Sequence, residues 1–153
     1  MGVEENKALV RSLFEEVINP GELDRADEFL GAGFVEHDPV PGQAPGVEGF
    51  KQVIAMLRSA FPDLRITIED LVAEADKVSV RLTVRGTHRG EFQGIPPTGR
   101  QVAWAGISII RIADGKVVER WFQSDVLGLR RQIGAVPPTG RPQAPTEGAN
   151  RPV

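Results

Sequence analysis

The spacing of apolar residues changes once along this chain, from a helical period to a period of two. Residues 3–18 carry Ala8, Leu9, Leu13, Phe14 and Val17 on one helical stripe, with Glu4 and Glu5 in the first turn where the helix dipole favours them. Asn19-Pro20-Gly21 ends that stretch. Residues 23–30 predict a second, short helix with Leu23, Ala26, Phe29 and Leu30 on one side, broken by Gly31 and Gly33. Residues 34–37 read as a short extended piece, and the Pro/Gly-rich residues 38–46 as a loop. Helical spacing returns over residues 47–60, through Val47, Phe50, Val53, Ile54 and Leu57, and Pro62-Asp63 stops it.

Beyond that point the period is two. Residues 64–75 predict a strand with Leu64, Ile66 and Ile68 on one face. Residues 77–88 set Val78, Val80, Leu82 and Val84 against Ser79, Arg81, Thr83 and Arg85, the alternation of a sheet packed on one side. A Gly/Pro loop follows over residues 89–100. The long apolar strand 101–113 then pairs with 116–126 as a hairpin about Asp114-Gly115. On the last strand Val117, Glu119, Trp121, Gln123 and Asp125 share one face by parity, and Val118, Arg120, Phe122, Ser124 and Val126 the other. Two registers are open. A two-residue turn pairs Ala113 with Lys116 and sets Asp125 opposite Trp104. A three-residue loop sets Asp125 opposite Ala103 and Trp121 opposite Ile107, with Arg111 on the same face. Helices first and four long strands after predict an α+β fold, with helices on one face of a curved antiparallel sheet and a pocket on its concave side. One domain is expected over residues 1–134. Residues 135–153, rich in Pro, Gly and small polar residues, are expected to form a disordered tail.

Composition narrows the chemistry. The chain has 153 residues, enough for one proper core. Its net charge of -3 gives no steering toward nucleic acid or anionic membranes. With no cysteine, disulfides, thiolate metal sites and a cysteine nucleophile are excluded. There is no tyrosine, and the two histidines, His37 and His88, cannot make a multi-histidine metal site. No apolar run approaches a membrane span and the acidic, amphipathic start is unlike a signal peptide, so a cytoplasmic location is expected.

The candidate chemistry centres on the end of the last strand. A carboxylate near a tryptophan on a buried strand end is where a raised pKa arises, which makes Asp125 a candidate acid/base group. The same residue could instead cap the LGLRRQ turn, and the residues alone leave both open. His88, at the mouth of the Gly/Pro loop, reads either as a second acid/base group or as a turn-holding side chain. His37 reads as a polar group at a cavity rim or a loop anchor. Arg111 reads as a cation paired with Asp125 or Glu119, or as a rim residue. Phe61, Phe92, Trp104 and Trp121 could line an apolar wall, with Ile107 beside them in the three-residue register.

His37-Asp38-Pro39, AFPDL (60–64), GTHRGEFQGIPPTGR (86–100), IRIADGKVVERW (110–121) and DVLGLRRQIG (125–134) together resemble the SnoaL-like polyketide cyclases, or ester cyclases, of the superfamily shared with nuclear transport factor 2 and ketosteroid isomerase. The likeness runs from about residue 6 to residue 134. It implies a cystatin-like α+β cone around a deep apolar cavity, a homodimer through the outer sheet face, and chemistry without a cofactor or metal. It also implies an acid/base aspartate on the last strand inside the cavity, a position that Trp121-x-x-x-Asp125 matches. The chain departs from the family on the penultimate strand, where the cyclases carry a histidine facing that aspartate. Residues 101–113 contain none, and Arg111 stands at the matching place.

Three functions fit these features. The first is a cofactor-independent cyclase or isomerase of an apolar, carbonyl-bearing molecule, closing a ring by aldol condensation with Asp125 as base and then acid. The second is a non-catalytic binder of a small hydrophobic ligand. The third is an epoxide-hydrolase-like enzyme, against which the absence of tyrosine counts.

Overall fold

The computed structural model describes residues 2–135, so the expected tail falls outside them from residue 136 onward. Helix α1 (Val3–Leu13) runs into a wider π turn over Phe14–Ile18, where the Asn19 N–H reaches back five residues to the Phe14 carbonyl at 2.9 Å. A 3-10 turn (Leu23–Glu28), strand β1 (Leu30–Glu36) and helix α2 (Gly46–Ala60) follow. Four strands then complete the sheet: β2 (Arg65–Glu74), β3 (Lys77–Thr87), β4 (Gln101–Ala113) and β5 (Lys116–Ser124). Helix α3 (Val126–Gln132) closes the described chain. No helix among the described residues is long and apolar enough to cross a membrane.

The sheet order is β1-β5-β4-β3-β2, antiparallel except that β1 lies parallel to β5. The helical segments cover one face. Val78, Val80, Leu82 and Val84 of β3 are at most 3% exposed and meet Val10, Leu13, Val17 and Ile54 in one apolar core. On β4 burial alternates along its whole length, with Val102, Trp104, Ser108, Ile110 and Ile112 inward. The α+β expectation holds, with one addition. The piece expected to be merely extended at residues 34–37 belongs to a full edge strand that begins at Leu30, and the second helix is a 3-10 turn ending at Glu28.

The β4–β5 hairpin turns on Asp114 (φ 51°) and Gly115 (φ 72°), both left-handed as a two-residue turn of this kind requires, and Ala113 pairs with Lys116. That register does not persist. Ile112 faces Val117 but Arg111 faces Glu119, so Val118 is an extra residue, a β-bulge. Beyond it Ile109 faces Trp121, Ser108 faces Phe122 and Gly106 faces Ser124. Neither register considered from the sequence describes the upper hairpin, because both assume a continuous ladder. The bulge reverses parity. Val117 is buried with Ile112, whereas above the bulge Arg120, Phe122 and Ser124 turn inward and Glu119, Trp121 and Gln123 outward.

Candidate active site

A cavity of about 120 Å³ lies between the helices and the concave face of the sheet. An engineered apolar cavity of about 150 Å³ accepts a benzene ring. The enclosed space here therefore suits roughly one six-membered ring, with a larger molecule projecting through the mouth. The walls are Phe14 and Ile18 from the π turn, Phe50, Val53, Ile54 and Leu57 from α2, and Leu82, Val84, Trp104 and Phe122 from the sheet. Exposed Asp38, Gln93 and Val126 mark the mouth. Gly106 makes room for the Phe122 ring: a Cβ there would stand 2.9 Å from Phe122 Cε1 and 3.1 Å from Ser124 Cβ.

Within this apolar lining the ionisable groups are Glu36, Asp38 and Arg120. Glu36 and Arg120 are Cα partners across the parallel β1–β5 ladder, which sets their side chains side by side on the inner face. Arg120 Nε lies 3.4 Å from Glu36 Oε1, with the two side chains 18% and 10% exposed. Burial pushes the Glu36 carboxyl above the usual glutamate range, and the Arg120 charge only partly opposes this. Burial likewise lowers the Arg120 pKa against the pull of Glu36 and Asp38. The Arg120 guanidinium carbon also sits 4.5 Å from the Phe122 ring centroid, a cation–π contact. Asp38 accepts the Phe122 N–H at 2.8 Å, and the buried Ser108 hydroxyl donates to the Trp121 carbonyl at 3.1 Å.

The expected site residues divide. Trp104 and Phe92 line the cavity as anticipated. Phe61 stands one layer behind, 5.4 Å from Trp104 and 5.6 Å from Phe92 between ring centroids, so it supports the wall without lining it. Asp125 is exposed and is not in the cavity; its carboxylate accepts the Gly128 N–H at 2.8 Å and caps α3. The bulge at Val118 and the end of β5 at Ser124 are the physical reasons. His88 is fully buried beside Phe61 but does not line the cavity. Its Nδ1 accepts the Thr98 N–H at 3.3 Å and lies 3.0 Å from Thr98 Oγ1, so the ring pins the 89–100 loop. That loop supplies Phe92 and Gln93 to the cavity, and Arg130 of α3 hydrogen-bonds Gln93.

His37, Trp121, Ile107 and Arg111 are corrected together, since all four lie on the outer face. His37 stacks on Trp121 at 4.6 Å with the rings 7° apart, and its Nε2 is 2.7 Å from Glu119. Arg111 hydrogen-bonds the other oxygen of Glu119 and reaches Asp76 at 3.8 Å. Hydrogen bonds from His37 and Arg111 hold Glu119 below the usual carboxylate range. Ile107 and Ile109 beside this network are 55% and 42% exposed. Sequence reasoning missed Glu36, Asp38, Arg120, Ser108 and Phe122 as cavity residues. One signal was present: Glu36 is two residues beyond Phe34 on one strand, so a buried Phe34 puts Glu36 inward too.

A curved sheet wrapped by N-terminal helices around a mostly apolar chamber with one polar corner is the nuclear transport factor 2-like architecture. Within it, the chain belongs to the SnoaL-like polyketide cyclase family, whose profile matches residues 8–133. It is 34% identical over 138 residues to the aklanonic acid methyl ester cyclase DnrD of Streptomyces peucetius, covering 86% of this chain and 92% of the relative. It is 28% identical over 118 residues to the nogalonic acid methyl ester cyclase of Streptomyces nogalater, covering 76% and 88%. Among solved structures, TsrD from Streptomyces laurentii superposes with a TM-score of 0.80 at 32% identity, over 89% of this chain and 99% of that one.

Proposed function

We propose that the chain is a cyclase of apolar, carbonyl-bearing small molecules, forming a carbon–carbon bond by aldol chemistry with Glu36 as the acid/base group. The observation that carries this reading is a largely buried, only loosely paired carboxyl in the wall of a mostly apolar cavity, a placement whose desolvation raises its pKa. A general base works best when its pKa lies near the working pH, and burial moves Glu36 in that direction. In the cycle the ionised Glu36 takes a proton from a carbon flanked by carbonyls. The resulting enolate carbon attacks a second carbonyl of the same molecule and closes the ring. The alkoxide formed there takes the proton back from Glu36, so the enzyme returns to its starting state and neither metal nor organic cofactor enters the balance.

Relatives that act on aklanonic and nogalonic acid methyl esters support the reaction class and suggest a trial substrate. With aklanonic acid methyl ester and simpler diketo esters, turnover followed by chromatography and mass spectrometry should fall by about a hundredfold or more in Glu36→Gln, while the fold is retained. Turnover undiminished in that variant would contradict the assignment. The same reading includes a homodimer through the outer sheet face, where Ile107 and Ile109 lie open. Sedimentation at micromolar concentration should show the dimer, and a monomer alone would count against it.

A further inference from the structure

The guanidinium of Arg120 is in the wrong place to be a structural cation. Several other arginines find oxygen partners, Arg25 with Glu16 and Glu28, Arg58 with the Asn19 carbonyl, Arg81 with Asp70, Arg100 with the Gln132 carbonyl, although Arg131, which does not line the cavity, also keeps a buried Nε unpaired. The Arg120 guanidinium, facing the cavity, makes no hydrogen bond to any described residue. Its Nε is buried without a partner, as is Oε2 of the neighbouring Glu36. The 3.4 Å approach of the two side chains is a loose ion pair and not a hydrogen bond. A buried Nε–H without an acceptor is unfavourable in a folded core, where polar groups are almost always paired, and the terminal nitrogens of the same fork have no protein acceptor among the described residues either.

We propose that Arg120 is a substrate-binding residue whose fork holds two oxygens of a β-dicarbonyl and takes over the negative charge when that group becomes an enolate. This rests on the reading of Glu36 as the acid/base group. Before proton transfer the cavity holds Glu36 as carboxylate and Arg120 as its counter-ion. Afterwards Glu36 is neutral and the charge lies on the enolate oxygens. The cation does not move, the net charge of the enclosed site does not change, and Arg120 exchanges a poor partner for a planar, two-oxygen one that suits its fork. An interaction that strengthens as charge develops lowers the barrier and does not merely tighten binding. The Phe122 ring against the guanidinium fixes the cation's position without consuming a donor.

The test uses the whole chain and two probes of equal bulk, benzoylacetone with its 1,3-dicarbonyl and butyrophenone with one carbonyl. Binding is followed by fluorescence of the buried tryptophan, and ionisation of bound benzoylacetone by its enolate absorbance across a pH series. The wild-type chain should bind the diketone about tenfold or more tighter than the monoketone and shift its ionisation to lower pH. Arg120→Met should lose both the preference and the shift. Arg120→Lys, which keeps the charge without the fork, should keep part of the shift and lose the preference. Equal affinity of the wild-type chain for both probes, or binding of neither, overturns the proposal whether or not Arg120→Met folds. So does an Arg120→Met chain that keeps preference and shift. Glu36→Gln separates the two readings, because it should keep the diketone preference. If that variant also turns over normally, the acid/base assignment fails while the role of Arg120 in binding stands.

Discussion

The β4–β5 hairpin carries a charged cluster on each face, and the two are built on opposite principles. Outside, Glu119 has a hydrogen-bonding partner on each oxygen, His37 is stacked and paired, and Arg111 spans two carboxylates. Inside, one residue along the same strand, Arg120 and Glu36 approach loosely and each keeps a buried atom unpaired. The outer cluster is satisfied and lowers its carboxylate's pKa; the inner one is unsatisfied and raises it. A fully paired cluster stabilises an ionisation state and has nothing left to offer a ligand. A desolvated, half-paired one costs stability and keeps its donors, acceptors and proton available. Pairing, more than residue type, separates the outer face from the inner one, where the proposed reaction is placed.

That contrast breaks most visibly if the two carboxylates are exchanged in role. Glu36→Gln should cost turnover about a hundredfold or more, whereas Glu119→Gln should leave it within a few-fold. Comparable losses in both would mean that the outer network feeds the reaction. Next in size is the inner wall. Gly106→Ala would set a methyl group 2.9 Å from the Phe122 ring, forcing it toward the cavity. A stability loss of about 1–3 kcal/mol is expected, with weakened binding of either ketone probe, measured by thermal melting and titration. Unchanged binding would mean that Phe122 does not border the ligand space.

Smaller still is the effect at the strand's end. Asp125→Ala should remove the cap of α3 and cost about 1 kcal/mol, leaving turnover nearly intact; Asp125→Asn, which can still cap, should cost less. A large loss of turnover in Asp125→Asn with the fold preserved would return the acid/base role to that residue.

The helical stripes, the alternation of Val78, Val80, Leu82 and Val84, and the turn at Asp114-Gly115 were all legible in the sequence, because each is a local pattern. The inward face of the last strand was not. Val117 is buried, and counting by twos from it puts Trp121 and Asp125 inside; one extra residue, Val118, reverses the count, and no residue type announces it. The Glu36–Arg120 pair was hidden for another reason. It forms only because an edge strand containing Gly31 and Gly33 lies parallel to the last strand, and that pairing joins residues 84 positions apart. Asp125 was readable as a cap from the residues alone, and the family resemblance moved it inward. Trp104 and Phe92 were found because large aromatic residues near a curved sheet have few places to go.

On the proposed reading, burial without full pairing makes the inner carboxyl reactive while full pairing disables the outer one. Carbon-13 labelling of the glutamate carboxyls, with Glu36 and Glu119 assigned through their Gln variants, reads both titrations in one sample. Glu36 should titrate above the ordinary glutamate value of about 4.3 and Glu119 below it. The sign carries over to stability. The contribution of Glu119 is present above the ordinary range and is lost as pH falls through its lowered pKa. Glu36 favours the folded state only while protonated, and that benefit disappears as pH rises through its raised pKa. If Glu36 titrates at or below Glu119, its carboxyl is an ordinary paired anion and the account of the inner face is wrong.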